Sequence, residues 1–414
     1  MSPALSARAS TFLGPRLGVI VSGGAPTLHL AAGALCAFQE KGLRFEAVAA
    51  SGAGALPGLL YLAPAPRPGN LTADPAVALQ SVVNMNIHDA IYDLIPNNFK
   101  VFFKYGPFSD PFYRLSQFIK RVVPVPDSYG PDHQRLVHDW IDFVTAAIAP
   151  TTLTYHSPSV LTRVQVINEL VDWDALRASP RDFFLNTFNM ETQRLQAFTK
   201  LTLTTDAFYA ALAMPWLYPP TQVTTGGPRY TEGASHDPSA IETVLEDGKP
   251  TDAFAKIDRL DALLVLDTIP PDLWTDPQSI YEALQLAIMD PIVTLAENVA
   301  ALYSLQDMVF NESGLSIPKL YRLPFQFPRW EGAKLLAWSY STARTLWDAG
   351  YDAAEKFCAD LLSPSASQNQ IDGKYRYFRT LVRDSREGDF LSMFGDPFKG
   401  LANVVVPRPG QPSP

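Results

Sequence analysis

The spacing of apolar positions changes twice within the first sixty residues. Leu17 to Val21 is a short β-branched apolar run that stops at Ser22-Gly23-Gly24-Ala25-Pro26. From Thr27 the period becomes helical, with Leu28, Ala31, Ala32, Leu35, Cys36 and Phe38 on one face until Gly42. Phe45 to Ala50 then reads as a second strand, running into Ser51-Gly52-Ala53-Gly54-Ala55 and a helix through Leu62. The pattern predicts strand, glycine loop, helix, strand, small-residue turn, helix.

Farther along the punctuation is denser. Residues 1–15 are expected to be a disordered leader. A proline-rich loop covers 63–70, and Asp74-Pro75 is an N-cap with a first-turn proline for a helix reaching about Tyr92. Residues 95–160 are cut by prolines and rich in aromatics, which predicts a helical, lid-like insertion. Strands are expected at Phe183–Asn189, Gln196–Phe198 and Leu320–Leu323, and a helix at Thr205–Ala213. Leu260–Leu266 is the continuous apolar run of a strand buried in a parallel sheet. Residues 277–311 and Leu335–Phe357 read as helices, and 359–414 as a tail. One elaborated α/β domain over 16–358 is the expected organisation.

The chain has 414 residues, 47% of them hydrophobic, and a formal net charge of −9. That balance argues against non-specific nucleic-acid binding, which needs basic surface to displace counterions. Two cysteines, Cys36 and Cys358, give no disulfide framework and suit a reducing compartment. No uninterrupted apolar stretch reaches the roughly 18 residues of a membrane span. The apolar run after Arg16 is too short for a signal peptide, so a cytoplasmic location is expected. The histidines show no metal-ligand spacing, and no nucleotide-binding glycine pattern is present. No metal or organic cofactor is implied.

A buried strand feeding a small-residue turn and a new helix is the form of a nucleophile elbow. A glycine loop at a helix N-terminus can present backbone N–H groups to an anion or a developing oxyanion. With these two blocks the chain resembles the patatin-like phospholipases, whose loop is Gly-Gly-Gly-x-Arg/Lys-Gly and whose elbow is Gly-x-Ser-x-Gly. Their third block, an Asp-Gly-Gly/Ala turn, has a counterpart at Glu232-Gly233-Ala234, preceded by small residues and prolines between Ala207 and Pro220. The resemblance implies an α/β/α sandwich with a mostly parallel sheet. It also implies a serine–carboxylate dyad acting on a lipid-like ester, with Gly23, Gly24 and Ala25 as the oxyanion hole.

The chain departs from that pattern at its chemical positions. Laid on the family motif, Gly52 stands where the nucleophile belongs and Ser51 just before it. Ser51 becomes the nucleophile only if the turn slips by one residue. Glu232 replaces the aspartate, and His236 and Asp237 follow it closely. The expected function is acyl hydrolysis or acyl transfer by Ser51 and Glu232 on a lipid or other acyl ester. Two alternatives stand beside it: a scaffold that binds an acyl ligand or partner without an acyl-enzyme, and Glu232-dependent acid–base chemistry without a serine. Lys100 to Tyr105 interleaves lysines with aromatics, which offers a peripheral membrane contact.

Overall fold

In the computed structural model the apolar runs assemble into a single sheet between two helical layers. The structure describes residues 3–24, 28–66, 73–96, 98–99, 110–123, 125, 130–148, 166–215, 220–241, 260–267, 280–312, 317–326 and 337–377. The strands are β1 (Leu17–Val21), β2 (Ala47–Ala50), β3 (Asp182–Asn189), β4 (Arg194–Thr199), β5 (Thr221–Gln222), β6 (Arg229–Glu232), β7 (Ala262–Leu266) and β8 (Lys319–Arg322). Their hydrogen-bonded order is β5-β6-β3-β2-β1-β7-β8, with β4 on β3. Pairings β1–β2, β2–β3, β1–β7 and β7–β8 are parallel. Those of β3 with β4 and β6 are antiparallel. The chain is therefore an α/β protein with a mostly parallel central sheet, as its sequence predicts.

Helices α1 (Pro3–Leu13), α2 (Leu28–Lys41), α3 (Ala55–Leu62) and α4 (Pro75–Ser81) come first. Then follow α5 (Asp89–Tyr92), α6 (Asp110–Val122), α7 (Gly130–Ile148), α8 (Val166–Leu170), α9 (Trp173–Ala178) and α10 (Thr205–Ala211). The last described are α11 (Ile280–Glu312), α12 (Tyr340–Leu362) and α13 (Gln368–Tyr375).

Alternation along the buried strands supplies both faces of the sheet. Val19, Val21, Val48, Ala50, Leu264 and Leu266 point into one layer with α1 to α4 and α12. Ile20, Ala47, Ala49, Leu263 and Val265 point into the other, where Val299, Ala300 and Tyr303 of α11 meet them. Strands buried on both faces need continuous apolar sequence, which is why β1, β2 and β7 are legible in the chain. Helix α2 is buried from Leu28 to Phe38. It is sandwiched rather than amphipathic, and its many alanines and Gly33 allow that. Asp74 caps α4 by accepting the Ala76 N–H, as its Asp-Pro signature predicts.

Three expectations need correction or restriction: residues 359–377 are not tail, since α12 runs to Leu362 and α13 buries Ile371 and Tyr375 in the main core. Residues 3–13 are not a disordered leader. They form α1, with Leu5, Ala9, Phe12 and Leu13 buried in the main core. These four residues fall on one face of the helix and meet α12 from the far end of the chain. The described helices of the insertion are α6 and α7. There Leu136, Phe143 and Ala146 pack on Ile87, Ile91, Tyr92, Phe99 and Trp338. Lys100 to Tyr105 and residues 378–414 lie outside the described residues. Among the described residues no helix is long and apolar enough to cross a membrane.

Candidate functional site

Strand β3 acts as a ruler that brings the elbow and Glu232 together. Its residues 182 to 185 pair with β2, ending at Ala50 opposite Leu185. Strand β4 lines β3 from Phe184 to Asn189. A strand has only two edges, so β6, which pairs at Thr187 to Asn189, must share the edge that β2 occupies. The two segments approach head-on. Ala50 stands opposite Leu185 and Glu232 opposite Thr187, so Ser51-Gly52 and Glu232-Gly233 converge beside Asn186.

The elbow itself is in the unslipped register. Ser51 is extended (φ −129°, ψ 141°), and the left-handed conformation falls on Gly52 (φ +47°). The one left-handed residue of this strand-to-helix turn is thus a glycine, which adopts that conformation without steric cost and carries no side chain. A Cβ built on Gly52 would lie 2.4 Å from Glu232 Oε1 and 3.1 Å from the Ala234 Cβ. The Glu232 carboxylate thus occupies the space a side chain at Gly52 would need. The short elbow residue and the long acid complement each other in volume. At Gly54 a Cβ would come within 2.5 Å of the Val21 and Ser22 carbonyl oxygens, so the turn can pack this closely only with glycine there.

Ser51 points away from this junction. It is fully buried, and its Oγ donates to the Asp237 carbonyl oxygen at 2.9 Å. The same oxygen accepts from Asn186 Nδ2 at 2.8 Å, while Asn186 Oδ1 is buried without a partner. The Asp237 carboxylate accepts from the Ile241 N–H and the Ser239 hydroxyl and so holds the turn beyond β6. Ser51→Ala should therefore cost about 1 kcal/mol, the usual worth of one neutral buried hydrogen bond, because Asn186 still satisfies the Asp237 carbonyl. Urea unfolding of the variant checks this; a loss several times larger would mean the hydroxyl does more than fasten the turn.

Glu232 retains some exposed surface, but its carboxyl lies in low-dielectric surroundings that push its pKa up to about 7 from 4.5. A hydrogen bond with the Ser235 side chain pulls the other way without cancelling the shift. The sign for stability follows. Between about pH 4.5 and 7 the folded state holds a proton that the unfolded state has released, so this group lowers stability as pH rises through that window. Glu232→Gln should gain about 3 kcal/mol over wild type at pH 8 and nothing at pH 4. Paired unfolding curves at the two pH values test it, and equal midpoints at pH 8 would remove the argument.

The other expected site residues are placed as follows. The Gly23 N–H donates to the Pro238 carbonyl oxygen at 2.7 Å, so it is already engaged in this conformation. Gly24 (φ +146°) is partly exposed, and Ala25 lies outside the described residues. His236 is exposed and stacked on Phe188, with ring centroids 3.7 Å apart and planes inclined by 14°. Its partial burial lowers its pKa. The sequence pattern does not set Asn186 and Phe188 apart from the rest of β3, the one available signal for the first being an asparagine in the middle of an otherwise buried strand. Among the described residues no group of three or more His, Cys, Asp or Glu side chains could hold a metal.

No family model matches the chain, and no curated protein matches it. Among solved structures it is similar to the crystal structure of VipD from Legionella pneumophila, at 11% identity and a TM-score of 0.30. The match covers 81% of this chain and 66% of that one, so the chain spans just under two thirds of VipD's length. At this overlap the reading of the site rests on the chain's own geometry.

Proposed function

We propose that this chain is a patatin-like scaffold whose site works through Glu232 and water rather than through a serine acyl-enzyme. Its substrate would be a lipid-like acyl ester. The observation that carries this reading is the Gly52–Glu232 pair: the elbow residue has no side chain, and Glu232 Oε1 fills the place where one would start. A carboxyl with a pKa of about 7 is suited to exchange protons near neutral pH. In the proposed step Glu232 accepts a proton from water as the water oxygen bonds to the acyl carbon. It then returns that proton to the departing alkoxide. Gly24 and Ala25 keep the oxyanion role that the family resemblance implies.

An acyl-enzyme on Ser51 is the competing reading. It requires the Ser51 hydroxyl to leave the Asp237 carbonyl and the backbone of residues 51 and 52 to exchange conformations. Turnover of p-nitrophenyl esters of graded chain length by wild type, Ser51→Ala and Glu232→Gln separates the two. Retention in the first variant with loss in the second is expected. Loss in Ser51→Ala with the fold intact would restore the acyl-enzyme.

A further inference from the structure

The α6–α7 pair is built with its polar residues inside and much of its apolar surface outside. On α6, Ser116 and Lys120 face α7. The Ser116 Oγ donates to Asp142 Oδ1 at 2.5 Å, and Lys120 Nζ reaches both Asp142 oxygens at 2.8 and 2.9 Å. The inner side of α7 is fastened to the body, where Asp139 accepts the His88 N–H at 2.7 Å. Leu115, Phe118 and Val122 of α6 are 43%, 60% and 53% exposed. Trp140, Val144 and Ile148 of α7 are 40%, 50% and 60% exposed.

Their spacings, i, i+3, i+7 and i, i+4, i+8, make one apolar stripe on each helix. With Val123 they supply seven of the thirteen large apolar side chains exposed among the described residues. A helix that meets only water is arranged the other way round.

We propose that the α6 stripe docks on an anionic lipid bilayer. The charge on α6 selects that occupant. Arg114 and Arg121 are exposed beside Leu115 and Val122, while Lys120 is already neutralised by Asp142. Among the described residues neither arginine has an ion-pair partner. The stripe is thus flanked by two cations on a chain whose net charge is −9. Apolar side chains edged by arginines suit the boundary between acyl chains and anionic headgroups. The surface lies on the insertion and is independent of the Glu232 site, so its test needs no turnover.

Co-sedimentation of the full chain with phosphatidylcholine vesicles, with and without phosphatidylserine, reads the partition directly. The wild type should bind the phosphatidylserine vesicles. Phe118→Ser and Val122→Ser, made separately on α6, should each lower that partition roughly tenfold while leaving the thermal midpoint unchanged. Arg114→Gln with Arg121→Gln should weaken binding to anionic vesicles by about tenfold or more and change binding to phosphatidylcholine alone little. Equal partition of wild type and both serine variants overturns the proposal. So does a concentration-dependent dimer that Phe118→Ser abolishes without any vesicle binding, which would assign the face to a second copy.

Discussion

Glu232→Gln is expected to lower ester turnover by at least about 100-fold, the low end of what a positioned general base contributes. The substitution keeps the volume over Gly52 and removes only the proton exchange. Ser51→Ala should stay within about threefold of wild type, because the Ser51 hydroxyl is fully buried and donates to the Asp237 carbonyl. The pH profile adds an independent signature. A base whose pKa lies at about 7 makes kcat/KM rise with pH and level off above that value, and this limb should be absent from the residual rate of Glu232→Gln. A lipophilic fluorophosphonate should leave the intact mass of wild type unchanged. A single adduct that vanishes in Ser51→Ala would sink the water mechanism.

The second large effect concerns the fold. Helices α2 and α12 cross with a glycine on each at the point of contact. A Cβ on Gly33 would lie 1.9 Å from the Trp347 carbonyl oxygen, and one on Gly350 would lie 2.0 Å from the Leu30 carbonyl oxygen. Both obstacles are backbone, so neither can swing aside as a side chain could. Gly33→Ala or Gly350→Ala must push the helices apart and loosen the layer that covers β1 and β7. Each should cost about 3 kcal/mol, at the upper end of overpacking penalties, despite alanine's better helix propensity. The double variant should cost less than the sum, since one displacement relieves both clashes. Urea denaturation of the three variants measures it; additive or sub-kcal/mol losses would show that the crossing can relax.

Much of this architecture was legible because the forces that fix it are local in sequence. β1, β2, β3 and β7 are apolar runs bounded by turn residues, and α2 announces itself by period and by Gly42, whose φ is +84°. What was hidden depends on distant partners. Helix α1 gains its burial from α12, and β6 gains its pairing from β3, so neither has a strong pattern of its own. The site shows the same division. The glycine loop, the small-residue turn after β2 and Glu232 can be picked out of the chain as candidates. The direction of Ser51 could not, because a shift of one residue exchanges which side chain faces the junction. Only the positive φ at Gly52 and the hydrogen bond to Asp237 decide it.

The match in volume between Gly52 and Glu232 also constrains how this site could change over time. A serine at residue 52 must first displace the carboxylate that fills its space, and an aspartate at residue 232 alone retracts the acid from an elbow that still has nothing to offer. Each single step toward a serine–aspartate dyad loses the present fit without completing the other chemistry. The two positions are therefore coupled, and the effects of changing residues 52 and 232 should be strongly non-additive in a double-mutant cycle.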